Sequence, residues 1–151
     1  MHYLAFDPGE HTGWASFDEK GGLHQVGTYL TPNDLMGELV KNIPYPTTFN
    51  HLPKLIICES FKLFPWKSQA QMWSEFWTVQ VIGSIKLFAK FYRIPIEMQD
   101  PNIKDIGYMY AGTAKPKSNN PLRHQMDAYI HGVYYLQKAK IRRPQQAKEI
   151  S

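Results

Sequence analysis

Leu55-Ile56-Ile57-Cys58 sets four apolar residues in a row between Lys54 and Glu59. A run this short, with prolines at 44, 46 and 53 just before it, reads as a strand. A strand that is apolar on both faces has to be covered on both faces. That requirement restricts the chain to α/β architectures, in which helices flank a central sheet and parallel strands are joined by crossovers. A second apolar run, Tyr3-Leu4-Ala5-Phe6, stops at the turn signal Asp7-Pro8-Gly9. Both runs end in a carboxylate.

The other elements fall around these two. Gly13 to Phe17 and Leu23 to Leu30 read as strands joined through Asp18–Gly22, where Gly21 and Gly22 suit a hairpin loop. Thr31-Pro32-Asn33-Asp34 opens a short helix to about Lys41, with Thr31 or Asn33 as its cap. From Ser68 to Tyr92 there is no proline, and Trp73, Phe76, Trp77, Ile85, Phe88 and Phe91 recur at helical spacing. Met72, Val79, Val81 and Ile82 make that helix apolar over more of its circumference than a surface helix should be. Burial on both sides or contact with a second subunit would explain this, and the second is favoured: a homodimer through helix 68–92. Pro95 to Met98 is a short strand that completes a βαβ unit, whose crossover is expected to be right-handed. Asn120-Pro121 predicts the cap and first position of a last helix running to about Ala139. Three antiparallel strands followed by two parallel ones, in a mixed five-stranded sheet flanked by helices, point to the ribonuclease H-like fold. One domain is expected over 1–141, with 142–151 a polar tail expected to fray.

Composition excludes several classes. At 43% apolar and 20% charged the chain is a folded one. The single cysteine, Cys58, leaves no internal disulfide and no Cys-rich zinc site, and it fits a reducing compartment. The N-terminus lacks a signal-peptide pattern and no stretch of 18 residues is free of charge, so a cytoplasmic protein without a membrane span is expected. The net charge of +4 is unevenly placed: residues 1–99 carry 8 Lys+Arg against 9 Asp+Glu, and residues 100–151 carry 9 against 4. A basic last third on a near-neutral body suits a polyanionic partner, although a solvated basic tail would read the same way.

The candidate chemistry lies at the strand ends. In open α/β sheets the functional crevice lies outside the carboxyl ends of the strands, so Asp7 and Glu59 share it if their strands are neighbours. Two carboxylates that close repel unless a cation sits between them. On the last helix His124 and Asp127 are three apart and share a face, with Asp127 set among Met126, Ala128, Tyr129 and Ile130. Three acids and an imidazole can hold one or two Mg²⁺ or Mn²⁺ ions. Taken singly each residue has a plainer reading: Asp7 as a turn cap, Glu59 paired with Lys62, His124 facing solvent, Asp127 paired with Arg123.

Taken together, the segments resemble a known family. Asp7-Pro8-Gly9-Glu10-His11-Thr12-Gly13-Trp14-Ala15 is similar to the first-strand motif of RuvC-type Holliday junction resolvases. Leu55 to Glu59 resembles their second catalytic segment, and Arg123-His124-Gln125-Met126-Asp127-Ala128 their terminal catalytic helix. Ala111-Gly112-Thr113-Ala114-Lys115-Pro116-Lys117 is similar to the basic segment that precedes that helix. The resemblance runs over about residues 1–140. It implies that Asp7, Glu59, His124 and Asp127 form the metal-binding catalytic set, and that Lys104 and Lys117 contact the DNA backbone. The turn after Asp7 and the stretch from Lys117 to His124 are shorter than in bacterial members, which suggests a compact, phage-type member acting in a bacterial host's cytoplasm.

The activity expected is metal-dependent, two-ion hydrolysis of phosphodiesters at Holliday junctions, by a C2 dimer with two equivalent sites. Lys62, Lys67, Lys104, Lys115, Lys117 and Arg123 would neutralise phosphates. Phe61 and Phe64, with Trp66, would stack on unpaired bases, unless these rings pack in the core or an interface. The alternatives are a broader nuclease for flaps and other branched DNA, and a junction-binding module of the same fold without turnover.

Overall fold

The computed structural model describes residues 2–42, 52–62 and 68–141, the last segment by its backbone course alone over 68–75. Residues 43–51 of the loop expected over 43–53, Phe64, Trp66, Lys67 and the tail 142–151 lie outside the described residues. Five strands, β1 (Tyr3–Asp7), β2 (Thr12–Phe17), β3 (Leu23–Tyr29), β4 (Leu55–Glu59) and β5 (Ile96–Gln99), form one sheet in the order β3-β2-β1-β4-β5. β2 is antiparallel to β1 and β3, whereas β4 is parallel to β1 and β5. This is the expected ribonuclease H-like sheet.

Strand pleating decides which residues meet which helices. Leu4 and Phe6 of β1, with Ile56 and Cys58 of β4, point to the face covered by α1 (Pro32–Lys41) and α2 (Ser68–Phe91). There they pack with Leu35, Val81, Ile85 and Phe88. Tyr3 and Ala5, with Leu55 and Ile57, point to the other face and pack against α3 (Lys104–Ala111) and α4 (Arg123–Lys138) through Tyr108, Ala128, Ile130 and Val133. Asp7 and Glu59 are the next odd positions on their strands, so both fall on the α3/α4 face.

The local signals account for most boundaries. Asp18 holds the β2–β3 hairpin by accepting from the Lys20 and Gly22 amides at 2.9 and 2.8 Å, with Gly21 at φ 78°. Thr31 caps α1 and Asp34 returns the bond to the Thr31 amide, a reciprocal capping box. Two expectations need correction. Asn120-Pro121 does not start the last helix; Asn120 organises a turn by accepting from the Leu122 and Arg123 amides, and α4 begins at Arg123. Helix α3 was not expected at all. Its eight residues include Gly107, a poor helix former. That glycine is a packing requirement, because a Cβ there would lie 2.3 Å from the Ile130 Cγ2 of α4.

Candidate metal centre

The site begins with the pairing of β1 and β4. With Phe6 opposite Cys58 in parallel register, Asp7 and Glu59 emerge side by side at the carboxyl edge of the sheet. The turn after Asp7 is closed by Thr12, whose hydroxyl donates to the Gly9 carbonyl at 3.2 Å. Asp7 also pairs with Gly13 across to β2, and Gly13 lies directly beneath α4. A Cβ at Gly13 would sit 1.9 Å from the His124 carbonyl oxygen, so the helix can lie this close only over glycine. The first turns of α4 are thereby set down over the strand ends, bringing His124 and Asp127 to Asp7 and Glu59.

Asp7, Glu59 and Asp127 each direct one oxygen at a common point, where the ammonium of Lys104 sits. Its Nζ lies 2.9 Å from Asp7 Oδ1, 2.7 Å from Glu59 Oε2 and 3.1 Å from Asp127 Oδ2. For both aspartates the second oxygen is bound outward: Asp7 Oδ2 meets His124 Nδ1 at 2.9 Å, and Asp127 Oδ1 accepts from the Tyr108 hydroxyl at 2.7 Å. Arg123 Nε lies 3.7 Å from Asp127 Oδ2. Asp127 is 1% exposed and Asp7 5%, burial that carboxylates tolerate only when paired.

Glu59 has a further partner. His131, fully buried on α4, places Nε2 2.6 Å from Glu59 Oε2 and Nδ1 2.7 Å from Gln99 Oε1, so both ring nitrogens face oxygen acceptors. A carboxylate oxygen can only accept, so Nε2–H donates to Glu59, and Gln99 holds the opposite edge of the ring. Gln99 reaches this face because it is the last residue of β5, next to Glu59 in register.

Electrostatics follow from these contacts. Burial works against ionisation of Glu59, but the His131 hydrogen bond and the Lys104 charge outweigh it and hold the carboxyl below its usual range. Burial likewise opposes the Lys104 charge, and the Asp7, Glu59 and Asp127 carboxylates outweigh it, keeping the ammonium charged beyond the usual lysine range. The Tyr108 phenol is raised by burial and by its bond to Asp127, so it remains a donor. Cys58, one residue from Glu59 but on the opposite face, has its thiol pushed up to about 12, chiefly by burial.

The donor set fits a hard divalent cation. Three carboxylates already converge on one positive charge, and one ligand atom each from Asp7, Glu59 and His131 lies within 4.8 Å of the others. All four residues expected at the catalytic centre, Asp7, Glu59, His124 and Asp127, are therefore together. His131, Gln99 and Tyr108 were missed. His131 was detectable as the residue one helical turn after Asp127, on the same face.

The residues expected on DNA are dispersed. Lys104 lies inside the carboxylate cluster. Arg123 is at its edge. Lys62 pairs with Asp100, while Lys115 pairs with Asp105 at 3.0 Å and is exposed, as is Lys117. Phe61 packs against the α1/α2-side core and lines a groove of about 360 Å³ with Val79, Ile82, Gly83, Lys86 and Met98. On α2 the stripe Val81, Ile82, Ile85, Phe88 and Ala89 is buried, but Leu87 is 67% exposed and Val79 53%, beside exposed Phe76, Trp77 and Phe91. No helix among the described residues is long and apolar enough to cross a membrane.

No protein-family model matches the sequence, and no curated protein matches it significantly. Comparison of structures does find matches. One is the RuvC of T. thermophilus, solved in complex with a Holliday junction substrate, which aligns with a TM-score of 0.63 at 12% identity. The alignment covers 92% of this chain and 94% of that one, so the two share a ribonuclease H-like fold along nearly their whole length.

Proposed function

We propose that the protein is a divalent-metal-dependent endonuclease that cuts DNA at Holliday junctions. The observation that carries this is the convergence of three carboxylates, the buried Asp7 and Asp127 and the half-buried Glu59, from β1, α4 and β4, on one cation position at the carboxyl edge of the sheet. The likeness in fold to a RuvC bound to junction DNA supports the choice of substrate. Asp7, Glu59 and Asp127 would hold one or two Mg²⁺ or Mn²⁺ ions, with the imidazole of His124 at hand. When bound, two such ions stabilise the attacking and leaving oxygens of an in-line displacement. His124 is the open group of the site, its side chain 39% exposed, and its Nδ1 is anchored on Asp7. It orients the attacking water or accepts its proton. His131 and Gln99 fix the Glu59 carboxylate, and Tyr108 fixes that of Asp127.

Arg123, Lys115, Lys117, Lys62, Lys67 and Lys104 neutralise the DNA backbone, and the rings of Phe61 and Phe64 are candidates for stacking on unpaired bases. Residues 113–122 carry no helix between α3 and α4, which favours, as second reading, a broader nuclease for flaps and other branched DNA. The exposed apolar face of α2 is the contact for a homodimer, which gives the two equivalent sites that paired cuts need.

The deciding experiment compares a four-way junction, a flap and a linear duplex with Mg²⁺ or Mn²⁺, alongside Asp7→Asn. Metal-dependent cleavage of the junction in preference to the others, lost in the variant, is expected. Equal cleavage of flap and junction establishes the second reading. Junction binding without cleavage in either metal defeats the nuclease assignment and leaves a binding module.

A further inference from the structure

Lys104 is an unusual residue to find at a metal centre, and its position is built. It is the first residue of α3, where the helix dipole disfavours a cation. The turn before it is secured by Asp100, which accepts from the Asn102 amide at 2.9 Å and pairs with Lys62. Helix α3 is in turn locked to α4 by the Gly107–Ile130 contact. The lysine stem is therefore aimed into the cluster from a fixed base, and its side chain is only 16% exposed. It takes one oxygen from each of the three carboxylates, the same inward oxygens a divalent ion would need. An ammonium 2.7–3.1 Å from all three leaves neither room nor charge balance for a divalent ion at that point.

We propose that Lys104 is an internal counterion that a divalent cation must displace, so that metal entry drives the Lys104 ammonium out of the carboxylates and into the cleft, within reach of a phosphate. This rests on the reading of the site as a divalent-metal centre. Without metal, the ammonium keeps three converging carboxylates, two of them buried, from repelling one another and holds the site in shape. With metal, the same charge becomes available to DNA. Metal and polyanion then reinforce each other, because a phosphate that holds the released ammonium favours the metal-bound state, and the coupling is reciprocal. No change in the protonation of Lys104 is involved.

The test uses the full-length protein without DNA. Amine-reactive acetylation is quantified by mass spectrometry with chelator and then with saturating Mn²⁺, while calorimetry records Mn²⁺ binding in parallel. Lys104 is expected to be protected in chelator and to gain reactivity at least fivefold with Mn²⁺, while exposed Lys54 does not change. Lys104→Met, which keeps the stem and removes the charge, is expected to bind Mn²⁺ at least tenfold more tightly and to melt lower than wild type in chelator. Should the variant fail to fold, the wild-type labelling still decides. Mn²⁺ binding with Lys104 still protected overturns the displacement but leaves the metal centre standing, as does a variant that binds Mn²⁺ no more tightly. No Mn²⁺ binding at all overturns both.

Discussion

Helices α4 and α2 cover opposite faces of one sheet, and they are packed in opposite ways. On the α4 side the buried stripe includes Asp127 and His131, and each meets a defined partner on another element. Among the described residues of α2 the buried stripe is apolar throughout, and large apolar residues continue around the helix into solvent at Phe76, Val79, Leu87 and Phe91. The first face spends stability on holding charges where chemistry needs them, since buried charges contribute little net stability and are destabilising once a partner is lost. The second face has stability in reserve and leaves a surface to be covered. A single sheet thus separates the proposed metal centre from the surface proposed for assembly, and changes on one side should not propagate to the other.

The largest effect that would test this division is on catalysis. Asp7→Asn keeps the shape of the side chain but removes one of three charges, and cleavage of a four-way junction should fall by roughly 10⁴-fold, since groups acting as a unit fail together. Single-turnover kinetics check this, and light scattering should find the assembly unaltered. Next is Gly13→Ala, whose added methyl meets the helix backbone at His124 with nothing flexible to yield. Destabilisation of about 3 kcal/mol in urea unfolding is expected, with junction cleavage reduced as α4 lifts. A cost under about 1 kcal/mol would mean that α4 is not seated as tightly as its place over β2 implies.

A smaller effect is expected at His131, which positions Glu59 without being needed as a charge. His131→Ala should weaken Mn²⁺ binding by about 10–100-fold in calorimetry, and His131→Gln, which retains a donor, should recover part of it. The charged face should also be the acid-labile one. The Glu59 carboxyl is held below its ordinary value, so its contribution is present above about pH 4.3 and is lost as the pH falls through its folded-state value. Urea midpoints followed from pH 6 to pH 3 should fall, and the fall should be shallower in a Glu59→Gln variant. Smallest in folding terms is Leu87→Ser on the exposed face of α2: monomer stability should move within about 0.5 kcal/mol, while light scattering shifts from dimer to monomer. Loss of cleavage without dissociation would break the separation of the two faces.

Which parts were readable from sequence follows the same division. Asp7 and Glu59 stood out because each ends an apolar strand, and pleating alone places both on one face. Asp127 stood out as a charge among apolar helical neighbours. His131 did not, because a histidine in an apolar helix looks like ordinary core, and its role depends on Gln99 arriving from β5. Lys104 was legible as a cation but not as a buried one. Its placement depends on α3, an eight-residue helix that contains Gly107, whose reason is a contact with Ile130 distant in sequence. The surplus of apolar residues on α2 was evident, and the structure resolves it into a buried stripe and an exposed one.

The pleat of β4 has one more consequence. Cys58 and Glu59 are adjacent, yet they face opposite sides of the sheet, and the thiol is fully buried among aliphatic side chains. A register slip of a single residue would set sulfur among the carboxylates. Because the strand holds its register, the centre offers only oxygen and imidazole nitrogen, a set that suits hard cations over thiophilic ones. With its thiol pushed up to about 12, Cys58 is also a poor target for oxidants. Alternation along five residues of backbone therefore acts as a filter, keeping the strand's own thiol away from a site only one peptide bond distant.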